Sequence, residues 1–263
     1  QGHKARKRFG QNFLEDDNVI QNIISAISPQ AGQKMVEIGP GLGALTRYLL
    51  PALKRLDVIE LDRDLAARLP NTLAGLGELH LHQADALHFD FSQLITDEQK
   101  LRVVGNLPYN ISTPLIFHLL SHSDSISDMA FMLQKEVVDR IVAAPNTSDY
   151  GRLSVMMQYY CEPTFLFEVP AGSFNPPPKV TSAVFRLKPY TQKPLQAQDE
   201  KHLASVVSHV FTQRRKTLRN SLKGQLDEAG FAAIGIDPMA RPETLSLAQF
   251  VALSDAIVAS KTA

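Results

Sequence analysis

The sequence predicts an α/β protein: a largely parallel sheet with helices on both faces, followed by a small all-helical C-terminal domain. Three observations predict it. Between residues 34 and about 143, short β-branched runs alternate with longer stretches of helical periodicity, the signature of repeated βαβ units. The first run ends in a glycine-rich turn, "GPGLG", that leads into a helix. From residue 201 to 263, apolar residues recur at helical intervals, as in "LASVVSHVF" and "LAQFVALSDAIV".

Taken in order, strands are expected at 34–38 ("KMVEI"), 56–61 ("LDVIEL"), 78–83 ("ELHLHQ"), 102–105 ("RVVG") and 129–134 ("MAFMLQ"). Helices are expected near 43–50, 63–69, 113–120 and 135–143. In the last, Val137, Val138, Ile141 and Val142 share one face, and Pro145 ends the run. Two further strand-like runs, 164–169 and 180–187, flank the proline-rich "PAGSFNPPPK" and would add an antiparallel pair to the sheet. The polar segment "KPYTQKPLQAQDE" (188–200) carries two prolines, which sets the expected domains at 1–190 and 191–263. At 263 residues, one large unit plus one small one agrees with a prior of roughly 150 residues per domain.

Composition narrows the class. An apolar content of 44% is ample for a core. The single cysteine, Cys161, excludes a disulfide framework or a cysteine-built metal cluster, and suits a core position in a reducing cytoplasm. No apolar run approaches the roughly 20 residues of a membrane span, so a soluble, cytoplasmic protein is expected. Charge balances at 27 against 27, so its placement matters. Lys4, Arg6, Lys7 and Arg8 form one basic cluster; Arg214, Arg215, Lys216, Arg219 and Lys223 form another. The eight histidines show no catalytic or metal-ligand spacing, and no metal is expected.

Two loops carry chemistry. In "VEIGPGLGALT", Gly39 and Gly41 let a ligand approach the backbone at a helix N-terminus. With Ala44 they also satisfy the dinucleotide fingerprint, so the glycines alone do not separate a nicotinamide cofactor from an adenosyl one. Glu60, at the end of the second strand, can accept from both ribose hydroxyls, and Asp85, after the third, can meet an adenine amine. The fourth strand ends at Asn106 in "GNLPYN". There the Asn106 amide oxygen and the Leu107 carbonyl, stiffened by Pro108, can take both protons of an exocyclic amine and localise its lone pair. Tyr109 offers a face on which a base can stack.

At these residues the chain resembles the family of ribosomal RNA adenine N6-dimethyltransferases, most closely its bacterial small-subunit branch. The likeness runs through "RKRFGQNFL", "VEIGPGLGALT", "VIELDRDLA", "GNLPYNISTPLIFHLL", "MLQKEVVDRIVA", "YGRLSVMMQYY", "FNPPPKVTSAVFRL" and "QRRKTLRNSL". It implies a Rossmann-like S-adenosylmethionine-dependent methyltransferase sheet on 1–190 and a helical RNA-binding domain on 191–263. It also implies dimethylation of N6 on two adjacent adenines near the 3′ end of small-subunit ribosomal RNA, and a role in subunit biogenesis. Carried residue by residue, Gln11, Asn12 and Leu14 would line the methionine end of the cofactor above Gly39 and Gly41. Glu60 would hold the ribose, Asp85 the adenine, and Asn106 both cofactor and amine. Tyr109 and Phe174 would sandwich the target base, and Arg214, Arg215, Lys216 and Arg219 would contact RNA. The N-terminal basic arm would order over the cofactor site. The implied partner is an immature 30S-type particle, bound by a monomer. Two alternatives stay open: a large-subunit methyltransferase, against which residues 201–263 are expected to argue, and a non-catalytic RNA-binding assembly factor.

Overall fold

The structure, a computed structural model, describes residues 11–262; the expected N-terminal arm (Lys4, Arg6, Lys7, Arg8) lies outside them. The chain divides into two compact units, one ending at 138 and resuming over 164–189, the other formed by 139–163 and 190–263. The expected single cut after residue 190 lies one residue from the last crossing, and it does not provide for 139–163. The reason is packing: the helix Arg152–Tyr160 buries Val155, Met156, Met157 and Tyr159, and it packs with the C-terminal helices.

The first unit begins with β1 (Phe13–Leu14) and α1 (Asp17–Ile27), then alternates β2 (Lys34–Ile38), α2 (Thr46–Leu53), β3 (Arg55–Glu60), α3 (Arg63–Thr72), β4 (Glu78–Gln83), β5 (Leu101–Asn106), α4 (Ser112–Leu120) and β6 (Ile126–Gln134). The unit boundary falls inside α5 (Lys135–Val142), and α6 (Arg152–Tyr160) belongs to the second unit. β7 (Cys161–Val169), β8 (Phe174–Asn175) and β9 (Ser182–Pro189) follow. The seven-stranded sheet has the order β4-β3-β2-β5-β6-β9-β7. Pairs β2–β3, β3–β4, β2–β5 and β5–β6 are parallel, and β9 runs antiparallel to β6. Central strands covered on both faces need near-continuous apolar sequence, and Met35, Val36 and Ile38 of β2 are all buried. β4, at the edge, alternates polar and apolar residues and is mostly half-exposed.

α1 follows from local chemistry. The Asp16 carboxylate accepts from the Asn18 and Val19 amides at 3.0 and 3.3 Å, and Val19, Ile20, Ile23 and Ile27 turn one stripe into the core. At the amino ends of the parallel strands, Arg102 donates to both Asp128 carboxylate oxygens at 2.8 and 3.0 Å, and to the last α1 carbonyl, Ile27 O, at 2.6 Å. Arg186 donates to Ala26 O beside it. Two arginines therefore satisfy orphan carbonyls that the helix end would otherwise bury.

In the second unit, α6 packs with α7 (Glu200–Thr212) and α10 (Leu247–Thr262), while α8 (Leu218–Ser221) and α9 (Glu228–Ala233) are short. The Tyr150 hydroxyl donates to Leu245 O at 2.6 Å, and the Phe211 and Phe250 rings sit 5.5 Å apart. No helix of the described residues is long and apolar enough to cross a membrane.

Candidate active site

Backbone proximity brings the two expected loops together. Gly39 and Gly41 adopt positive φ, 66° and 59°, a conformation that L side chains rarely adopt. A Cβ on Gly39 would lie 3.2 Å from the Asn106 carbonyl oxygen, and one on Gly105 would lie 2.3 Å from Ile38 O. Glycine at both positions lets the ends of β2 and β5 pair closely (Ile38 with Gly105), so the glycine turn and "NLPYN" become neighbours.

Between them opens a cavity of about 170 Å³ at the carboxyl ends of β2 to β5. All eight expected cofactor positions line it: Gln11, Asn12, Leu14, Gly39, Gly41, Glu60, Asp85 and Asn106. So do Leu107 and Tyr109. The segment before α1 reaches the cavity because it is anchored at three points. Gln11 Nε2 donates to the Asp62 carboxylate at 2.8 Å, Asn106 Nδ2 donates to Asn12 O at 3.3 Å, and β1 pairs with β8. With its nitrogen so engaged, the Asn106 carboxamide is oriented, and its oxygen is the end available to accept.

Among the described residues, the cavity lining includes three acids, Glu37, Glu60 and Asp85, and no lysine or arginine. Glu60, buried, accepts from the Gly41 amide at 3.1 Å and from the Asp62 amide at 3.0 Å. Burial raises its pKa above the ordinary carboxylate value, opposed by those backbone bonds. Glu37, also buried, accepts from the Thr46 hydroxyl at 2.5 Å. Burial pushes its carboxyl up to about 7, against the Thr46 bond and with help from the Glu60 charge. A pyrophosphate in this turn would meet both carboxylates and find the Gly41 donor already used. The donor set fits a nucleoside that carries positive charge and no phosphate.

Asp85 is half-exposed on the turn after β4, its Oδ1 accepting from the Leu87 amide at 3.0 Å. The Leu107 amide donates to Met132 O at 3.3 Å, which ties the amine loop to β6. Tyr109 is half-buried, and its hydroxyl lies 2.7 Å from Ser182 Oγ on β9. Burial raises the pKa of that phenol, opposed by the Ser182 bond.

Phe174 departs from expectation. It does not line the cavity; it is 4% exposed, pairs with Leu14 across the β1–β8 ladder and packs in the core with Val19, Ile20 and Leu49. Its ladder partner Leu14 does line the cavity, so Phe174 stands behind that wall, within the core. Phe174 instead supports the strand behind Asn12.

The expected RNA-binding residues lie in the second unit: Arg214, Arg215 and Lys216 on the break between α7 and α8, and Arg219 within α8. Arg215, Lys216 and Arg219 are exposed there. Arg214 is not presented in the same way: its guanidinium donates to Tyr150 O at 2.8 Å and lies 5.8 Å from the Phe211 ring centroid. Arg241, which the sequence did not single out, donates to Arg215 O at 3.2 Å and joins the basic turn.

Glu37, Thr46 and Asp62 are site residues that motif reading passed over. The signal existed for Glu37, an acid between the apolar residues Val36 and Ile38 of a central strand; nothing in the sequence joined Gln11 to Asp62. Among the described residues, no group of three or more histidines, cysteines or acids is placed to hold a metal ion.

Comparison with known proteins agrees with this geometry. Residues 2–258 match a family model described as "Ribosomal RNA adenine dimethylase". A protein of Acinetobacter baylyi called ribosomal RNA small subunit methyltransferase A is 67% identical over 98% of this chain and 94% of its own length. A namesake from Pseudomonas putida is 56% identical over 96% of this chain and 95% of its own. Among solved structures, a dimethyladenosine transferase from Plasmodium falciparum superposes with a TM-score of 0.77 at 26% identity, over 92% of this chain and 95% of that one. The 23S rRNA methyltransferase ErmE superposes with a TM-score of 0.73 at 26% identity, over 94% and 100%. A match over 94% of this chain cannot omit residues 201–263, so the helical unit does not by itself separate this chain from large-subunit enzymes.

Fold and site together define an α/β methyltransferase that acts on RNA. The chain belongs to the ribosomal RNA adenine dimethylase family.

Proposed function

We propose that this chain transfers methyl groups from S-adenosylmethionine to N6 of two adjacent adenines near the 3′ end of small-subunit ribosomal RNA, twice per base. The observation that carries the reading is the approach of Gly39 to Asn106, which sets a phosphate-averse nucleoside cavity against a loop able to take both protons of an amine. The names of the two bacterial relatives support the small-subunit substrate. We propose an immature 30S-type particle as partner, a monomeric and cytoplasmic enzyme, and phosphate contacts from Arg215, Lys216 and Arg219, with Arg214 supporting that turn from within.

Bound S-adenosylmethionine would supply an electrophilic methyl on a sulfonium. Gln11, Asn12 and Leu14 would hold its methionine end, Glu60 its ribose and Asp85 its adenine. The Asn106 oxygen and the Leu107 carbonyl accept the two N–H protons of the target amine and pull nitrogen toward tetrahedral geometry. A carboxamide accepts without taking the proton, which then leaves to solvent. The Tyr109 ring stacks on the extruded base, a contact worth roughly 1–3 kcal/mol against a flipping cost of a few kcal/mol. Anchoring of its hydroxyl by Ser182 keeps the face in one orientation. Phe174 acts here through β1, keeping Asn12 at the cavity wall.

The test is a methyl-transfer assay on small-subunit particles. Asn106→Ala should lower turnover about 100-fold or more, while calorimetric affinity for S-adenosylmethionine changes far less. Wild-type turnover would overturn the assignment. Primer extension on both ribosomal RNAs from a deletion strain separates this function from large-subunit methylation. Cofactor binding without turnover would instead favour the assembly-factor role.

A further inference from the structure

His118, near the end of α4, lies outside the cavity, yet it is bonded to the turn that carries Asp85. Its Nε2 sits 2.7 Å from the Phe89 carbonyl oxygen. A carbonyl only accepts, so Nε2 holds the proton and donates. Phe89 closes a compact turn whose amides fold back on it: His88 N donates to Asp85 O at 3.1 Å and Phe89 N to Ala86 O at 3.3 Å. Ala84, Asp85 and Ala86 of that turn face the cavity. Rings reinforce the link, since Phe91 is fully buried between Phe89 at 5.2 Å and His118 at 5.6 Å.

The other end of α4 is continuous with the amine loop. Ile111 N donates to Pro108 O at 3.3 Å, Leu115 N to Ile111 O at 3.0 Å, and Ser112 Oγ to Tyr109 O at 3.2 Å. One short helix therefore starts at the loop that presents Asn106 and Tyr109 and ends on the loop that presents Asp85.

We infer that His118 is a positioning residue that holds Asp85 in register for the cofactor's adenine and couples the donor-binding turn to the amine loop through α4. The inference rests on the reading that Asp85 meets that adenine. Loss of the donor leaves the Phe89 carbonyl without its partner and frees the turn, so donor affinity falls while the chemical step, set by Asn106 and Leu107, stays near its rate.

Four variants test this by calorimetry with S-adenosylhomocysteine and by kinetics with S-adenosylmethionine. His118→Phe retains the ring packing and removes the donor; it should weaken binding about fivefold and raise KM for the cofactor with little change in kcat. His118→Gln, whose amide can again donate, should restore most of the loss. Asp85→Ala should weaken binding by itself, and His118→Phe added to it should cost almost nothing more, because the two act on one contact. Wild-type affinity in His118→Phe overturns the inference, as does full additivity with Asp85→Ala. Unchanged affinity in Asp85→Ala removes the adenine contact on which it rests.

Discussion

Glu37 shows how much one buried side chain can disclose. Burial drives its carboxyl up to about 7, where an ordinary glutamate sits at 4.5. Between those values the folded chain holds a proton that the unfolded chain has released. This group's contribution to stability is full below about pH 4.5, declines as pH rises and is lost above about pH 7. Glu37→Gln keeps an acceptor for Thr46 but cannot ionise. Its unfolding free energy should match wild type near the acid end and exceed it above neutrality, by an upper bound of about 3 kcal/mol, with a higher melting temperature there. Melting curves at several pH values check this, and parallel pH profiles for the two proteins would contradict it. The cavity gains as well as loses by such a residue. A carboxyl poised near neutrality can ionise in response to an arriving cation, at a smaller desolvation cost than a permanent charge would carry.

Strands and helices were legible where periodicity and punctuation agreed. β2 and β4 fall at the residues expected, and α4 and α5 differ from expectation by one residue. α2 begins at Thr46 rather than near 43 because the glycine turn runs on through Leu45, its Gly43 amide closing on Pro40 O at 2.9 Å. α1 was not expected: its aspartate cap and isoleucine stripe stand in the sequence, but α/β alternation alone does not call for a helix before the first central strand. The β1–β8 ladder was not readable. Two-residue strands carry no period, and their pairing joins residues far apart in the chain. The surroundings of Phe174 were not readable for that reason, since only the ladder sets it against Leu14. Gly105 belongs to the same lesson: the motif contains it, but the need for it lies on another strand. Gly105→Ala would press a methyl to 2.3 Å from Ile38 O and must move backbone. Destabilisation by more than about 2 kcal/mol in urea unfolding is expected, together with loss of cofactor binding. A substitution that leaves both intact would show that the strand ends need not approach so closely.

Across the whole molecule, the chemistry of the first unit and the basic turn of the second are separable by experiment. If Arg215 and Lys216 contact phosphates, Arg215→Ala with Lys216→Ala should flatten the salt dependence of RNA affinity by about one to two units of log–log slope. Cofactor affinity should stay unchanged. Arg214→Ala should instead lower thermal stability, because it releases the Tyr150 carbonyl and the Phe211 ring. An equal effect of all three on the salt slope would return Arg214 to the RNA surface. Within the first unit, the candidate cavity occupies the carboxyl ends of the strands, whereas the Arg102, Asp128 and Ile27 cluster closes their amino ends. Heat tolerance can therefore be adjusted at one pole while turnover is tuned at the other, and a lineage moving to a warmer niche has a place to change that its ribosomes would never notice.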